Sequence, residues 1–225
     1  MKRLIITIDG PSGAGKTTVS KILAGRLEYR YIDTGALYRG VALEAISADI
    51  NSDDDAGLEN IGSSLKMKFV YGEKGLRLIS NDSDITDKIR TPEISMFASA
   101  ASARPVVRNF LLELQRELGR EKGVVFEGRD MGTVVFPDAD VKFYLDASHK
   151  TRSLRRYQEL ESETSQTLKG VAKDIKRRDK NDSARDIAPL KAAEDAVIID
   201  STHLSVHDVV DRMMSVIGDM RYIKS

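Results

Sequence analysis

The chain has 225 residues with no cysteine, and its 35 Lys and Arg are balanced by 35 Asp and Glu. That length holds one α/β core with an insertion rather than two large domains. The missing cysteine excludes disulfides, thiolate metal sites and a cysteine nucleophile and suits the cytoplasm, and the zero net charge gives no whole-chain reason to expect nucleic acid or a membrane as partner.

Met1-Lys2-Arg3 and the short apolar run behind it do not make a signal peptide, and no apolar stretch reaches the length of a membrane span. Leu4-Ile5-Ile6-Thr7-Ile8 is β-branched and almost continuously apolar, as expected of a parallel strand buried on both faces. After a glycine-rich turn, Val19, Ile22, Leu23 and Leu27 recur at helical spacing, completing a βα unit. Tyr29–Ile32 reads as a second strand and Ala36–Ile46 as a second helix. Asp49–Asn60 is acidic and reads as a loop. Its Asp49-x-Asn51-x-Asp53 start is calcium-loop-like, but position six is Asp54 instead of glycine and position twelve is Asn60 instead of glutamate. Lys66–Tyr71 and Leu76–Ser80 flank Gly72-Glu73-Lys74-Gly75 as a β-hairpin. Helices are predicted from Thr91-Pro92 and from Arg104-Pro105 to about Arg120. Val124–Phe126, Val141–Leu145 and Ala196–Ile199 read as further strands, each followed by a polar segment.

Strands alternating with helices predict an α/β fold with a parallel sheet flanked by helices. In such sheets, ligands bind beyond the carboxyl ends of the strands. Lys150–Lys191 carries twelve Lys or Arg against seven Asp or Glu. It is either a solvated helix pair or a cationic cover over phosphates.

Gly10-Pro11-Ser12-Gly13-Ala14-Gly15-Lys16-Thr17 matches the P-loop pattern G-x-x-x-x-G-K-[ST] in full, between a predicted strand and a predicted helix. Backbone N–H groups in such a loop cradle phosphate, the lysine reaches the β- and γ-phosphates, and the Thr17 hydroxyl suits Mg²⁺. The glycines fall as G-x-x-G-x-G, so the dinucleotide fingerprint is not met. The P-loop alone does not say where the phosphoryl group goes. Asp33-Thr34-Gly35-Ala36-Leu37-Tyr38-Arg39, the Arg104/Arg108 pair, Glu127-Gly128-Arg129-Asp130 and the cluster of Arg178, Asp182 and Arg185 together describe a second anionic pocket. Arginine suits it because its planar fork grips phosphate oxygens bidentately. The Asn-Lys-x-Asp guanine signature of a GTPase switch is missing, and His203 and His207 do not form a zinc motif. Asp33 and the acids at strand ends are the candidates for positioning Mg²⁺.

These segments closely resemble the bacterial cytidylate kinases, nucleoside monophosphate kinases of the P-loop class that make CDP from CMP and ATP. The resemblance is carried by IDGPSGAGK at 8–16, DTGALYR at 33–39, RPxVR at 104–108, GRDMGTVVFPDA at 128–139 and RDxxDxxR at 178–185, and covers essentially the whole chain. It implies a core of about 1–48, 92–148 and 181–225, a monophosphate-binding insertion of about 49–91 that contains the hairpin, and a lid of about 149–180. It also implies ATP as co-substrate with Mg²⁺, CMP or dCMP as acceptor, a cytoplasmic monomer, and no nucleic-acid or membrane partner. The P-loop residues Gly10 to Thr17, with Thr18, Arg152 and Arg156, would bind ATP, and Thr17 would bind the metal. Thr34, Arg39, Ser99, Arg108, Gly128, Arg129, Asp130, Arg178, Asp182 and Arg185 would bind CMP. Lys16, Arg129, Asp130 and Arg156 would serve catalysis. Serine is common in the family where Thr34 stands, and glycine where Thr17 stands; the hydroxyl needed for each role is present here.

Overall fold

The computed structural model describes residues 3–73, 75–160 and 166–223, with side chains through 219. Met1-Lys2, Lys74 of the expected hairpin turn and residues 161–165 of the expected lid lie outside the described residues. The chain packs as two compact units. The first comprises 1–31, 121–184 and 189–225, and the second comprises 32–120 and 185–188.

The predicted parallel sheet has its strands in the order β2-β6-β1-β7-β8. These are β1 (Ile5–Asp9), β2 (Arg30–Asp33), β6 (Val124–Gly128), β7 (Val141–Asp146) and β8 (Val197–Asp200). Strands β1, β6, β7 and β8 belong to the first unit, and β2 runs across the division at 31/32. The central strand β1 pairs with β6 from Ile5↔Val124 to Asp9↔Gly128, and with β7 from Ile6↔Val141 to Asp9↔Tyr144. Ile6, Ile8, Val124, Val125 and Phe126 are wholly buried, as their unbroken apolar run predicts. Helix α1 (Lys16–Leu27) buries Val19 and Leu23 and packs against α8 (Val206–Ile223), which turns Val209, Val210, Met213 and Ile217 inward. The basic segment forms α6 (His149–Leu160) and α7 (Leu168–Ser183), joined through Leu160, Val171 and Ile175. Between β6 and β7 the chain makes one π-helical turn, Met131–Val135.

The second unit packs α2 (Thr34–Ser47) against α4 (Pro92–Ala101) and α5 (Pro105–Gly119), with Leu37, Val41, Leu78, Ile89 and Leu111 in its core. The hairpin is present as β3 (Met67–Gly72) and β4 (Gly75–Ser80), in register from Met67↔Ser80 to Gly72↔Gly75. A two-residue strand, β5 (Ser83–Asp84), adds to it. The loop expected over 49–60 is a loop only as far as Asp54, and α3 runs from Asp55 to Ser64. Asp54 caps this helix by accepting from the Gly57 amide at 3.0 Å. The acidic composition hid the helix because it buries few side chains, Leu58 foremost.

Candidate active site

The P-loop connects the end of β1 to the start of α1. Gly10 and Gly13 adopt φ of 149° and 76°. A Cβ on Gly10 would stand 2.0 Å from the Leu145 carbonyl oxygen, and one on Gly13 would stand 2.7 Å from that of Arg152. Only glycine fits either place, and the loop is thereby pressed close against its walls. Gly15, also left-handed, leads into α1, whose first amides have no partner within the helix. Pro11, Ser12 and Ala14 are buried, whereas Thr17 and Thr18 in the first turn are exposed.

Lys16 is buried and curls back over the loop, donating to the carbonyls of Gly10 at 2.8 Å and Pro11 at 2.7 Å. Burial, reinforced by the charge of Arg129, pushes its ammonium down to about 7. Thr17 donates to Glu127 Oε1 at 2.8 Å, and the Tyr31 hydroxyl donates to the same oxygen at 2.8 Å. Of the candidate metal-positioning acids, Glu127 thus meets the Thr17 hydroxyl directly. A hydroxyl and a carboxylate are hard oxygen donors, and they fit Mg²⁺ bound mainly through phosphates and water.

One strand over, Arg129 and Asp130 leave β6. Arg129 donates to Asp182 Oδ2 on α7 at 2.9 Å and to the Gly128 carbonyl at 3.2 Å. Burial opposes its charge, yet Asp182, with help from Asp179 and Glu127, keeps the guanidinium above its ordinary pKa. Asp130 is 1% exposed. Arg178 lies on α7 and adds positive charge to the field at Lys16. Asp9, the last residue of β1, accepts from the Met131 and Gly132 amides at 2.9 and 2.8 Å. Burial pushes its carboxyl up to about 6 even against those two bonds.

Helix α6 divides its arginines. Arg152 is buried, donating to the carbonyls of Ala147 and Ser12 at 2.9 Å each and to Asp179 Oδ2 at 2.6 Å. The other Asp179 oxygen accepts from the Ser12 amide at 3.4 Å. Arg155 reaches Ser201 through Oγ at 3.0 Å and the carbonyl at 2.8 Å, and the Ala14 carbonyl at 3.4 Å. Arg156 pairs with Glu159 on its own helix at 3.0 Å. The i,i+4 pair singled out in the sequence therefore splits, and the P-loop is buttressed by Arg152 and Arg155. Asp9 and Asp179 were given no role in the sequence reading, and Arg155 and Ser201 were placed only by their segments. Only Asp9 carried a signal, as a lone acid closing an apolar strand against the first P-loop glycine.

In the second unit, Thr34 is buried at the start of α2, and Asp33 caps that helix through the Ala36 amide at 3.1 Å. Arg39 donates to Asp33 at 2.7 Å. Burial works against the Asp33 charge, but Arg39 outweighs it and holds the carboxyl below its usual range. Arg108 is buried on α5, donates to the Ser102 carbonyl at 3.2 Å and lies 5.8 Å from the Tyr38 ring centroid. Ser99 is buried on α4. Arg104 instead binds Asp55 at the start of α3, and Arg185 belongs to the short 185–188 stretch of this unit.

A parallel sheet whose central strand runs into a complete P-loop, with the lysine folded over it and a threonine hydroxyl meeting a strand-end glutamate, defines a P-loop phosphotransferase. The sequence profile of the cytidylate kinases matches residues 6–219. The chain is 54% identical over 217 residues to a cytidylate kinase of Geobacter sulfurreducens, covering 96% of this chain and 93% of that one. It is 45% identical over 223 residues to a cytidylate kinase of Syntrophotalea carbinolica, covering 99% and 95%. The chain belongs to the cytidylate kinase family. A gluconokinase from Sinorhizobium meliloti shares the fold, with a TM-score of 0.51 at 13% identity and coverage of 100% of this chain and 99% of that one.

Proposed function

We propose that this enzyme transfers the γ-phosphoryl group of ATP to CMP, and to dCMP, giving CDP or dCDP and ADP in the salvage and recycling of pyrimidine nucleotides. The observation that carries this reading is that two polar segments, each partly buried, follow the carboxyl ends of adjacent strands. The P-loop follows β1, and Arg129-Asp130 follows β6. The first grips polyphosphate, and the second offers a guanidinium and a carboxylate to a smaller polar acceptor.

The acceptor oxygen belongs to a phosphate and is already ionised near neutrality, so no general base is needed. Catalysis is positioning and charge stabilisation. The P-loop amides and Lys16 hold the β- and γ-phosphates, and Lys16 follows the charge of the transferring group. Thr17, with Glu127 beside it, would hold Mg²⁺, which would supply positive charge against the charge of the triphosphate. Arg152 fixes the loop from behind. Arg156, whose ion-pair partner lies on its own helix, is the α6 guanidinium assigned to the triphosphate. On the acceptor side, Arg39 and Arg129 take the phosphate with Thr34. Asp130, Ser99 and Arg108 take the cytosine, and Arg178, Asp182 and Arg185 take the ribose and base. A carboxylate facing the exocyclic amino group and an arginine facing N3 and O2 favour cytosine, because uracil would leave buried groups unpaired. The enzyme is read as a cytoplasmic monomer acting on small nucleotides.

A coupled assay of ADP release with CMP, dCMP, UMP and AMP tests this. CMP and dCMP are expected to be turned over at least about 10²-fold more efficiently than UMP and AMP. Equal turnover of UMP and AMP overturns the reading. Asp130→Ala is expected to lose CMP phosphorylation while ATP still binds. Full selectivity for CMP over UMP in that variant removes Asp130 from the recognition of cytosine.

A further inference from the structure

Asp9 is one residue from the first P-loop glycine, yet its carboxylate is spent on a different segment. Both its oxygens are taken, one by the Met131 amide and the other by the Gly132 amide. These open the π-helical turn that directly follows Arg129-Asp130. Its backbone is meanwhile in register with Gly128, which directly precedes them. Arg129 and Asp130 therefore span a two-residue bridge anchored at both ends on Asp9. The turn is closely packed where it is held. A Cβ on Gly132 would come within 3.0 Å of Thr7 Oγ1, 3.2 Å of Lys142 Cδ and 3.4 Å of Asp9 Oδ2. Lys142 holds the far end of the segment through the Pro137 carbonyl and is itself bound to Asp195 at 2.8 Å. Single π-helical turns are uncommon and occur often at functional sites. A buried carboxylate that accepts two successive amides fixes such a turn more firmly than neutral partners would.

We propose that Asp9 is a positioning residue that registers the acceptor-reading pair Arg129-Asp130 against the phosphate grip, by tying the strand end that launches the P-loop to the turn that follows the pair. This rests on the CMP kinase reading given above. Asp9 touches neither nucleotide in this assignment and acts through the segment it holds. Asn in its place keeps the size but offers one oxygen to two amides and turns an NH₂ toward one of them.

Steady-state constants for Asp9→Asn, measured separately for ATP and for whichever monophosphate the wild type prefers, test the proposal. Loss of about 10²-fold in kcat/KM for the monophosphate is expected, the penalty for about 1 Å of misplacement. Selectivity among monophosphates is expected to weaken about tenfold, with the KM for ATP within about twofold of wild type. Gly132→Ala moves the same turn without altering charge and is expected to shift the same constants in the same direction by a smaller factor. It decides the matter alone if Asp9→Asn does not fold. A folded variant with wild-type acceptor constants and selectivity overturns the proposal, as does a parallel loss of ATP and monophosphate affinity, which marks a merely structural role. The wild-type monophosphate panel decides the CMP reading independently.

Discussion

Two regions each give one cation two partners, under opposite conditions. At the carboxyl end of the large sheet, Lys16 is 7% exposed and its partners are backbone carbonyls. In the small sheet, Arg77 donates to Asp84 at 2.7 Å and Asp87 at 2.8 Å, and those carboxylates are 38% and 77% exposed. The buried cation has lost its water and, among the described residues, has no carboxylate in direct contact, so burial outweighs the nearby charges of Glu127 and Asp9 and drags its pKa down. The half-buried Arg77 has full counter-charges at exposed carboxylates, and its pKa is raised. An ammonium held in that unfavourable condition is ready for an anion, whereas a satisfied guanidinium is finished structure.

The sharpest test removes each cation. Lys16→Met is expected to lower kcat by about 10³-fold, the loss typical of one preorganised donor at developing charge. Its urea unfolding midpoint is not expected to fall, because the variant no longer buries an ammonium. A kcat within tenfold of wild type would sink this account of the loop.

The second test uses neighbours on one helix. Arg152→Ala removes the partner of Asp179 Oδ2 and of the Ser12 carbonyl and is expected to cost about 3 kcal/mol of stability. Arg156→Ala breaks a half-exposed i,i+3 pair and is expected to change stability by less than about 0.5 kcal/mol, while slowing phosphoryl transfer about tenfold or more. Chemical denaturation and initial rates on both variants separate support from chemistry. Reversal of the two profiles would exchange the roles.

That helix also marks how far the sequence could be read. The parallel sheet, the P-loop and the hairpin were legible because each has its own period or glycine pattern. The motif grouped Gly10 to Thr17 without help, since a loop of eight residues is local. Across the chain, the grouping of Arg129 with Asp182 was legible, but most individual contacts were not. Glu127 meets Thr17 over 110 positions and Arg152 meets Ser12 over 140. Nothing local distinguishes Arg155 from Arg156, since one step along a helix turns a side chain by about 100° and only the packed partner shows which faces inward. Helix α3 was missed because its cap, Asp54, lies within an acidic run that reads as solvated loop. The π-helical turn was missed because GTVV carries neither period.

The depressed Lys16 pKa supplies a third test. At pH 8 an ammonium whose pKa is about 7 is mostly neutral in the free enzyme. Bound triphosphate favours the charged form and raises that pKa, so binding must take up a proton. Calorimetric ATP titrations at pH 8 in buffers of different ionisation enthalpy are expected to show uptake approaching about one proton, with the triphosphate itself already ionised. Lys16→Met is expected to abolish it. Identical enthalpies in all buffers would mean that the loop holds a fully charged lysine before ATP arrives.

The smallest effect belongs to Arg77. Arg77→Ala is expected to leave kcat and both KM values unchanged and to lower the thermal midpoint slightly. The partners are solvent-exposed, so about 1 M salt, which shortens the Debye length to about 3 Å, should erase most of the difference. The pH dependence has a definite sign. Hydrogen bonds from Arg77, joined by those from Thr86, hold the Asp84 carboxyl down at about 2 against an ordinary 3.8. A depressed carboxyl contributes stability above its unfolded pKa and loses it as the pH falls through the folded one. The gap between wild type and Arg77→Ala is therefore expected to be full above about pH 4 and to close toward pH 2. A gap that persists at pH 2 and in high salt would mean that Arg77 acts through its packed stem, and that the two regions differ in packing rather than in how their cations are solvated.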